Sequence, residues 1–389
     1  MAQVQYRYKG MLIINPLMRG GIIPKDVQQR LFEDGWTEVG YNVCFDCLEG
    51  RSSLITKPSI KAHLQEIAEF FGGDAAEHTF GCRSAQFVAM QTIAEANPPS
   101  KIVIADPNSH YSTNIAAEMC GFETVEPPHT GYPEYRVTAE NFREKIEEVK
   151  KSHGKPAMVA VTHADPYYGN VAPVAEIGEI CEEEDIPYMV NAAYTGGVMP
   201  INMKDFQADF LTLSAHKSMA SIAPLGYLVT TFEWTKKAFA VSKAKPDWTG
   251  RMFGEKIPNL FGCSIGGLPL LSGMLSFPSV KERVKHWDEE LKKIEGFVDG
   301  MEELGDMMLL GERPHGHHLL HFETPVFWEI SQGHKRKGFF LAEALIKRGI
   351  VGLHKGLSKH IKLSVYGLTN DEVDKVLGAF REVIEENSS

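Results

Sequence analysis

A lysine in a short loop after an apolar run is the residue best suited to covalent chemistry in this sequence. Lys217 follows the strand-like run 210–214 and ends the segment Ser214-Ala215-His216-Lys217. A lysine amine forms a Schiff base with a carbonyl group when its surroundings lower its pKa. The neighbouring hydroxyl and imidazole groups can donate hydrogen bonds to a phosphate. By itself the pattern is weak, because a lysine after a strand is more often a solvated loop residue.

Three other segments offer groups that a flat, phosphorylated ligand needs. They are the turn Gly81-Cys82-Arg83 at the start of a helix, His110 after the run 102–105, and Asn191 at the end of the run 188–191. Free N–H groups at a helix start favour an anion, and an imidazole can stack on a flat ring. Ligands of parallel sheets bind at the carboxyl ends of the strands, so we expect these segments to meet near Lys217.

The elements that must position these residues alternate through the middle of the chain. Apolar runs predict strands at 102–105, 157–162, 188–191, 210–214 and 226–230. Amphipathic patterns predict helices at 25–33, 58–71, 85–95, 139–152 and 174–184. Continuously apolar strands that alternate with helices are typical of an α/β fold with a mostly parallel sheet covered on both faces.

The pattern changes twice, which predicts three parts. These are an N-terminal arm (1–57), a large domain (58–275) and a smaller α+β C-terminal domain (276–389). In the last part we expect a long helix at 280–304, strands at 319–322 and 361–365, and helices at 339–347 and 371–385. A single large domain is the alternative, since such chains can pass 250 residues.

In this order, the glycine turn, His110, Asn191 and Ser-x-His-Lys resemble the large domain of fold-type I pyridoxal-phosphate (PLP) enzymes. This aspartate aminotransferase-like class includes aminotransferases and cysteine desulfurases. The resemblance implies PLP as the cofactor and Lys217 as its Schiff-base residue. The other cofactor-binding residues that it implies are Cys82, Arg83, His110, Asn191, Ser214, Ala215 and His216.

Asn191 stands where many such enzymes have Asp. A neutral amide beside the pyridine nitrogen should leave a weaker electron sink, which suits elimination of a good leaving group from Cβ. An asparagine that only caps a turn at a strand end is the alternative.

Cys44 and Cys47 form the only Cys-x-x-Cys of the chain. Two thiols at this spacing can share a metal, close a reversible disulfide or pass a persulfide between them. Zinc usually needs a second ligand pair, and no other pair matches this one convincingly. His317, His318 and His321 have metal-like spacing, although a histidine-rich loop is equally typical of anion binding.

The arm also carries Asn15-Pro16 and Arg19-Gly20-Gly21, and Cys263 lies in a glycine-rich segment. With the cofactor motifs, these features resemble the O-phosphoseryl-tRNA:cysteinyl-tRNA synthases of methanogenic archaea over nearly the whole chain. The resemblance implies a transferase that converts O-phosphoseryl-tRNA(Cys) to cysteinyl-tRNA(Cys) by phosphate elimination and sulfur addition. It also implies that Cys44, Cys47 and Cys263 either carry a persulfide or ligate an iron–sulfur cluster.

Gly81-Cys82-Arg83-Ser84 departs from the Gly-Ala-Arg-Glu expected of that family, which leaves open a paralogue with another substrate. Candidates for the phosphate or ester end of the substrate are Arg19, Arg83, His110 and Lys359. The implied partners are tRNA(Cys) carrying phosphoserine, a second copy of the chain in a homodimer, the phosphoseryl-tRNA synthetase and a sulfur donor.

A net charge of −11 excludes an overall basic field, so tRNA must bind a local basic patch. The candidates are the segment 234–251, with Trp234 and Trp248 among its basic residues, and Lys335-Arg336-Lys337. Six cysteines and the lack of a membrane-length apolar run favour a cytoplasmic protein. The alternative functions are a cysteine desulfurase or another PLP lyase or sulfur transferase acting on a free amino acid, and a tRNA-binding scaffold without a cofactor.

Overall fold

The computed structural model describes residues 8–38, 42–44, 59–240 and 264–387. The strands are β1 Leu12–Ile13, β2 Asn42–Cys44, β3 Ala75–Thr79, β4 Ile102–Ala105, β5 Glu123–Val125, β6 Met158–Thr162, β7 Tyr188–Asn191, β8 Phe210–Leu213, β9 Gly226–Thr230, β10 Ser264–Gly266, β11 Met308–Leu310, β12 Leu320–Glu323, β13 Ile350–Val351 and β14 His360–Leu363. The helices are α1 Pro16–Arg19, α2 Lys25–Glu33, α3 Ile60–Phe70, α4 Cys82–Glu95, α5 Ser112–Met119, α6 Ala139–His153, α7 Val174–Glu183, α8 Ala215–Ser218, α9 Phe232–Ala238, α10 Gly267–Val284, α11 Trp287–Glu302, α12 Pro325–Gly333, α13 Phe340–Lys347 and α14 Asn370–Glu385.

A seven-stranded sheet forms the centre of the fold, in the order β3-β9-β8-β7-β6-β4-β5. The strands from β8 to β5 run parallel, whereas β9 pairs antiparallel with both β3 and β8. Val103 packs in a cluster on one face of β4, and its neighbour Ile104 packs in another cluster. Both faces are therefore covered, which explains why these strands are continuously apolar. The predicted mostly parallel α/β sheet is confirmed, and β9 makes it a mixed one.

Local patterns predicted several elements to the residue, namely α2, β4, β7 and β9. Other predictions were wrong. β3 was missed, and α4 begins at Cys82 rather than at residue 85. The helix predicted at 280–304 is two helices, because the N–H groups of Lys285 and His286 bond to carbonyls only three residues back and end α10. α10 also continues through Pro278.

A smaller unit packs around the antiparallel sheet β11-β12-β14. Phe297 of α11, Phe322 of β12 and Phe380 of α14 are buried in its core. β1 pairs in parallel with β13, which attaches the N-terminal segment to this unit. The predicted boundary between residues 275 and 276 falls inside α10, and the division into domains stays a prediction. Within the ranges described above, no helix is both long and apolar enough to cross a bilayer.

Candidate active site

A cavity of about 310 Å³ opens at the carboxyl ends of β4, β7 and β8, beside the first turn of α4. We call it the Lys217 cavity. It is lined by Phe80, Gly81, Cys82, Arg83, His110, Ser112, Thr162, Pro166, Asn191, Ala193, Tyr194, Ser214, His216 and Lys217. Every candidate cofactor residue from the sequence therefore contributes to its wall except Ala215, which is buried in the core behind it. The convergence follows from the parallel strands, whose carboxyl ends share one edge of the sheet.

Lys217 lies in the short helix α8, directly after β8. Burial lowers the pKa of its amine, and the nearby positive charge of Arg83 acts in the same direction. The ring of Tyr194 lies 5.0 Å from Nζ, within the range of a cation–π contact. The site thus shifts Lys217 toward the neutral amine, which is the form that reacts with a carbonyl.

The first turn of α4 forms one end of the cavity. Gly81 caps this helix with φ +118°, a backbone conformation that side chains rarely adopt. A Cβ at Gly81 would stand 3.0 Å from Cε1 of His216, so the glycine lets the turn approach the lysine loop. The first N–H groups of a helix lack intrahelical acceptors, and the helix dipole favours an anion there.

Cys82 and Asn191 form the floor of the cavity. Oδ1 of Asn191 accepts hydrogen bonds from the backbone N–H of Ala193 at 3.0 Å and from Sγ of Cys82 at 3.0 Å. Sγ also lies 3.2 Å from Oγ1 of Thr212. The Ala193 N–H can only donate, so the atom of Asn191 that faces it is the amide oxygen. The NH₂ group of Asn191 therefore points the other way, and its two N–H donors are not used in these contacts. Among the described residues, none accepts a hydrogen bond from this NH₂.

His110 is half-buried at the side of the cavity. Its Nδ1 lies 2.8 Å from the hydroxyl oxygen of Ser112 and 3.2 Å from the backbone nitrogen of the same residue. Burial, together with the charges of Lys217 and Arg83, lowers its pKa to about 4. Its ring centroid lies 4.3 Å from that of Tyr111. The flat, uncharged ring suits stacking on another aromatic ring.

These residues fit PLP. The free helix N–H groups and the hydroxyl of Ser214 suit its phosphate, the amine of Lys217 suits its aldehyde, and the NH₂ of Asn191 suits the lone pair of its ring nitrogen. Oγ1 of Thr162, also in the wall, is buried without a hydrogen-bond partner in the described chain. The local pattern did not reveal Thr162, Tyr194 or Thr212. The only sequence signal of Thr162 and Tyr194 was a position at or just beyond the end of a predicted strand, and Thr212 lies inside the predicted strand 210–214.

Two of the substrate candidates lie outside the cavity. Nε of Arg19 donates to the carbonyl of Tyr366 at 2.6 Å, and its guanidinium also bonds to the carbonyl of Ile13 at 3.2 Å. Arg19 is therefore a buried residue that joins the N-terminal segment to the small unit, and it does not line the Lys217 cavity. Lys359 is exposed just before β14. Arg83 does reach the cavity, where its Nη2 donates to the hydroxyl of Tyr111 at 2.5 Å.

The predicted RNA-stacking role of Trp234 is wrong. Its side chain is buried, and Nε1 donates to Oδ1 of Asp209 at 3.0 Å, so its ring is not available to a base. Residues 241–263, which contain the rest of that basic segment, lie outside the described residues. In the second basic cluster, Arg336 is paired with Glu343.

The histidine-rich loop does not form a metal site. His317 and His318 are buried, and they bond to the carbonyl of Tyr194 and the hydroxyl of Ser364. No group of His, Cys, Asp or Glu in the ranges that the structure covers is arranged to hold a metal.

The proposed sulfur cysteines fall mostly outside the described residues. Of the three, only the backbone of Cys44 is described, in β2. β2 pairs antiparallel with β10, and Cys44 is opposite Ser264. Cys47 and Cys263 are outside the described ranges, so their predicted role is not tested.

Comparison with known proteins gives a consistent result. A family model described as O-phosphoseryl-tRNA(Sec) selenium transferase, SepSecS, matches residues 85–385. The O-phospho-L-seryl-tRNA:Cys-tRNA synthase 2 of Archaeoglobus fulgidus is 45% identical over 379 residues, which cover 97% of this chain and 95% of that protein. The O-phospho-L-seryl-tRNA:Cys-tRNA synthase of Methanothermobacter thermautotrophicus is 40% identical over 376 residues, covering 97% and 96%.

Solved structures agree. A chain from the crystallised complex of SepCysS with the N-terminal domain of SepCysE matches with a TM-score of 0.87 and 37% identity, covering 98% of this chain and 96% of that one. A cysteine desulfurase from Thermococcus onnurineus shares the fold with a TM-score of 0.73 at 17% identity, covering 97% and 95%. The chain therefore belongs to the O-phospho-L-seryl-tRNA:Cys-tRNA synthase (SepCysS) family, within the fold-type I class of PLP-dependent enzymes.

Proposed function

We propose that this chain converts O-phosphoseryl-tRNA(Cys) to cysteinyl-tRNA(Cys) with PLP as its cofactor. The observation that carries the proposal is the partly desolvated amine of Lys217, which stands among an anion-binding helix start, a neutral imidazole and an unpartnered amide. The chain also matches synthases of this name over nearly their whole length, at 45% and 40% identity. The presence of Lys217 distinguishes this function from that of a tRNA-binding scaffold without a cofactor. The handling of sulfur distinguishes it from that of a cysteine desulfurase.

Lys217 holds the cofactor in the resting enzyme and moves a proton during the reaction. When bound, PLP withdraws electrons from Cα of the substrate and acidifies its proton. Nζ of Lys217, when it is free, would take that proton and would return a proton to Cα after sulfur has been added. The lowered pKa of Lys217 favours the neutral amine that this base needs.

The leaving phosphate needs a cation that stays charged. Arg83 lies at the cavity and is held there by the hydroxyl of Tyr111. Its guanidinium matches phosphate geometry with paired donors. We assign the substrate phosphate to Arg83, and the cofactor phosphate to the α4 turn with Ser214 and His216.

The number of electrons that the reaction needs depends on the form in which sulfur arrives. Replacement of phosphate on Cβ by hydrosulfide is redox-neutral, because phosphoserine and hydrosulfide give cysteine and phosphate. If the sulfur arrives as a cysteine persulfide, its S–S bond must be cleaved with two electrons. Two further thiols can supply these electrons by closing a disulfide. A set of three cysteines therefore meets the requirement, one carrying the sulfur and two reducing it.

Cys44, Cys47 and Cys263 are proposed for this set. The backbone of Cys44 pairs with that of Ser264, and Ser264 follows Cys263 in the sequence. An iron–sulfur cluster on the same thiolates is the alternative, and the iron and acid-labile sulfide content of the purified protein decides between them.

The test is the formation of cysteinyl-tRNA from phosphoseryl-tRNA by the PLP-loaded chain. We expect activity with sulfide or with a persulfide donor, and none in Lys217→Ala. Serine substitutions at Cys44, Cys47 and Cys263 should remove the persulfide-dependent activity and spare the sulfide-dependent activity. Equal turnover of free phosphoserine would contradict the tRNA substrate, and release of sulfur from free cysteine would point to a desulfurase instead.

The partners follow from this function. We propose a homodimer, a contact with the phosphoseryl-tRNA synthetase that supplies the substrate, and a cytoplasmic location. A relative was crystallised with the N-terminal domain of SepCysE, which supports a protein partner for this chain. The mass of the purified chain and its co-purification with these proteins test the proposal.

A further inference from the structure

Arg283 lies in the last turn of α10, and its guanidinium reaches carbonyl groups from three separate parts of the chain. Nε donates to the carbonyl of Gly197 at 2.8 Å, and Nη2 donates to that of Gly20 at 3.0 Å and to that of Ser218. Gly197 follows β7, Ser218 ends α8 and Gly20 follows α1. One side chain therefore joins segments that lie 86, 65 and 263 residues away from it in the sequence.

Two of these carbonyls belong to loops that line the Lys217 cavity. The first, which we call the lysine loop (214–220), carries Lys217 directly before Ser218. The second, which we call the asparagine loop (191–197), begins at Asn191 and ends at the glycine that the guanidinium binds. Hydrogen bonds from a charged donor are stronger than those between neutral groups. The guanidinium therefore ties the backbone beside the reactive amine to the backbone of the loop that carries the amide.

The lysine loop and the asparagine loop are in direct contact through their backbones. Gly197 has φ +84°, a conformation that glycine adopts readily and other residues rarely do. A Cβ at Gly197 would stand 2.8 Å from the carbonyl oxygen of Ser218 and 2.8 Å from Cγ of Met219, closer than side chains pack. The distance between the two loops therefore depends on the groups that bind these carbonyls.

The N-terminal segment also lies against the lysine loop. A Cβ at Gly20 would stand 2.8 Å from the carbonyl oxygen of Lys217. The carbonyl of Gly20 accepts a hydrogen bond from the N–H of Ala220 at 3.1 Å in addition to the one from Arg283. The lysine loop is thus in contact with two other backbone segments, and the guanidinium bonds to all three.

An ion pair does not explain the position of the guanidinium. Among the described residues, the hydrogen-bond acceptors of Arg283 are the three carbonyl oxygens and no carboxylate. The ring of Tyr366 lies 5.9 Å from Cζ, within the range of a cation–π contact. The planar guanidinium carries its donors in a rigid fork, which fixes the directions of the bonds that it forms. Arg283 is therefore suited to hold backbone groups at set distances.

We propose that Arg283 is a positioning residue that fixes Lys217 relative to Asn191. The inference rests on the proposed function, in which Lys217 meets the aldehyde of PLP and Asn191 meets its ring nitrogen. These two groups stand at opposite corners of the pyridine ring, so PLP fits both residues only when the two loops are correctly spaced. A displacement of about 1 Å in a site of this kind lowers a rate by about a hundredfold. Without the guanidinium, the two loops can shift against each other.

The first test follows the uptake of the cofactor and needs no RNA. PLP is added to the cofactor-free full chain, and the rise of its visible absorbance is recorded with time. Arg283→Met keeps the length of the side chain and removes its donors, so it should take up PLP about tenfold more slowly than wild type and show a shifted absorbance maximum. Arg283→Lys keeps one cationic donor and should fall between the two. If only the lysine variant folds, a wild-type uptake rate in that variant overturns the inference.

Arg348→Met is the matched control. The guanidinium of Arg348 also joins three groups, which are the carboxylates of Glu382 and Glu386 and the carbonyl of Ala344, but all of them belong to the small unit. This variant should unfold at a lower temperature and keep the wild-type uptake rate and absorbance maximum. If Arg283 were important only for stability, Arg283→Met and Arg348→Met would behave alike.

The second test measures turnover of phosphoseryl-tRNA by the PLP-loaded enzyme. Arg283→Met should lower kcat about tenfold to a hundredfold and leave KM unchanged, because it displaces the reacting amine and not the groups that bind the substrate. An Arg283→Met protein with wild-type uptake, absorbance maximum and kcat would overturn the inference and leave the proposed function standing. A wild-type chain that takes up PLP without forming cysteinyl-tRNA would instead contradict the proposed function, and the uptake rates would still decide the role of Arg283.

Discussion

The thiol of Cys82 donates a hydrogen bond to Oδ1 of Asn191, with 3.0 Å between the two heavy atoms. Burial raises the pKa of Cys82 to about 11, so the thiol keeps the proton that it donates. With the N–H of Ala193 on the same oxygen, Asn191 is held with its NH₂ free. Cys82 is therefore a positioning residue for Asn191, and the departure from the family pattern at this position has a structural role.

Substitution of Cys82 tests that relationship. Cys82→Ala removes the second donor to Asn191 and leaves a small cavity, so we expect a loss of about 1–2 kcal/mol in the free energy of unfolding. It should also shift the visible absorbance of bound PLP, because the group at the ring nitrogen is no longer fixed. Cys82→Ser keeps a donor and should restore both properties. A Cys82→Ala protein with wild-type stability and spectrum would contradict the role.

Gly81→Ala tests the anion-binding turn. A Cβ at Gly81 meets Cε1 of His216 at 3.0 Å, and φ +118° disfavours any side chain, so the turn must move away from the lysine loop. We expect PLP to dissociate about fivefold to 150-fold more readily, since a shift of this size costs about 1–3 kcal/mol. Dialysis followed by absorbance measures the retained cofactor. Gly131→Ala is the control, because its φ is +80° and no atom lies within 4 Å of the added Cβ.

Arg83→Gln tests the substrate phosphate site. Loss of a charge-assisted pair should raise KM for phosphoseryl-tRNA and lower kcat/KM about tenfold to a hundredfold. Tyr111→Phe removes only the hydroxyl that holds the guanidinium and should give a smaller change in the same direction. Steady-state kinetics at fixed sulfide measure both. An Arg83→Gln protein with unchanged kcat/KM would place the phosphate elsewhere.

Buried neutral histidines predict instability in acid. Burial lowers the pKa of His163 to about 4, against an ordinary value of about 6.5. Between these values the unfolded chain binds one more proton at this site. The contribution of neutral, buried His163 to the free energy of unfolding is therefore complete above pH 6.5 and falls as the pH drops toward 4.

His163→Gln should remove this pH dependence of the free energy of unfolding. The glutamine amide keeps a hydrogen bond to Thr195 and does not titrate. We expect the slope of unfolding free energy against pH to become smaller by about 1.4 kcal/mol per pH unit in this range. Urea unfolding at several pH values measures it. His153→Gln is the control, since His153 is exposed at the end of α6, and it should leave the slope unchanged.

Local sequence determined the strands and the end of the sheet at which the chemistry lies. β4, β7 and β9 are recognisable because buried strands are continuously apolar. Asn191 ends a strand, and Lys217 and His110 lie in segments that follow strands. Parallel strands then bring these residues together without any further information. The glycine turn at residues 81–83 indicated a helix start, although the predicted helix began three residues late. The break between α10 and α11 was not predictable, because a helical pattern continues across it.

Only the tertiary structure decided which side chains face one another. Cys82 and Asn191 are 109 residues apart, and nothing in either segment indicates that the thiol meets the amide. Arg19 was a substrate candidate until the fold directed its guanidinium to the carbonyl of Tyr366, and Trp234 was an RNA candidate until packing buried it. A local pattern encodes periodicity and residue type, whereas a partner far along the chain depends on strand order and on how the two units pack.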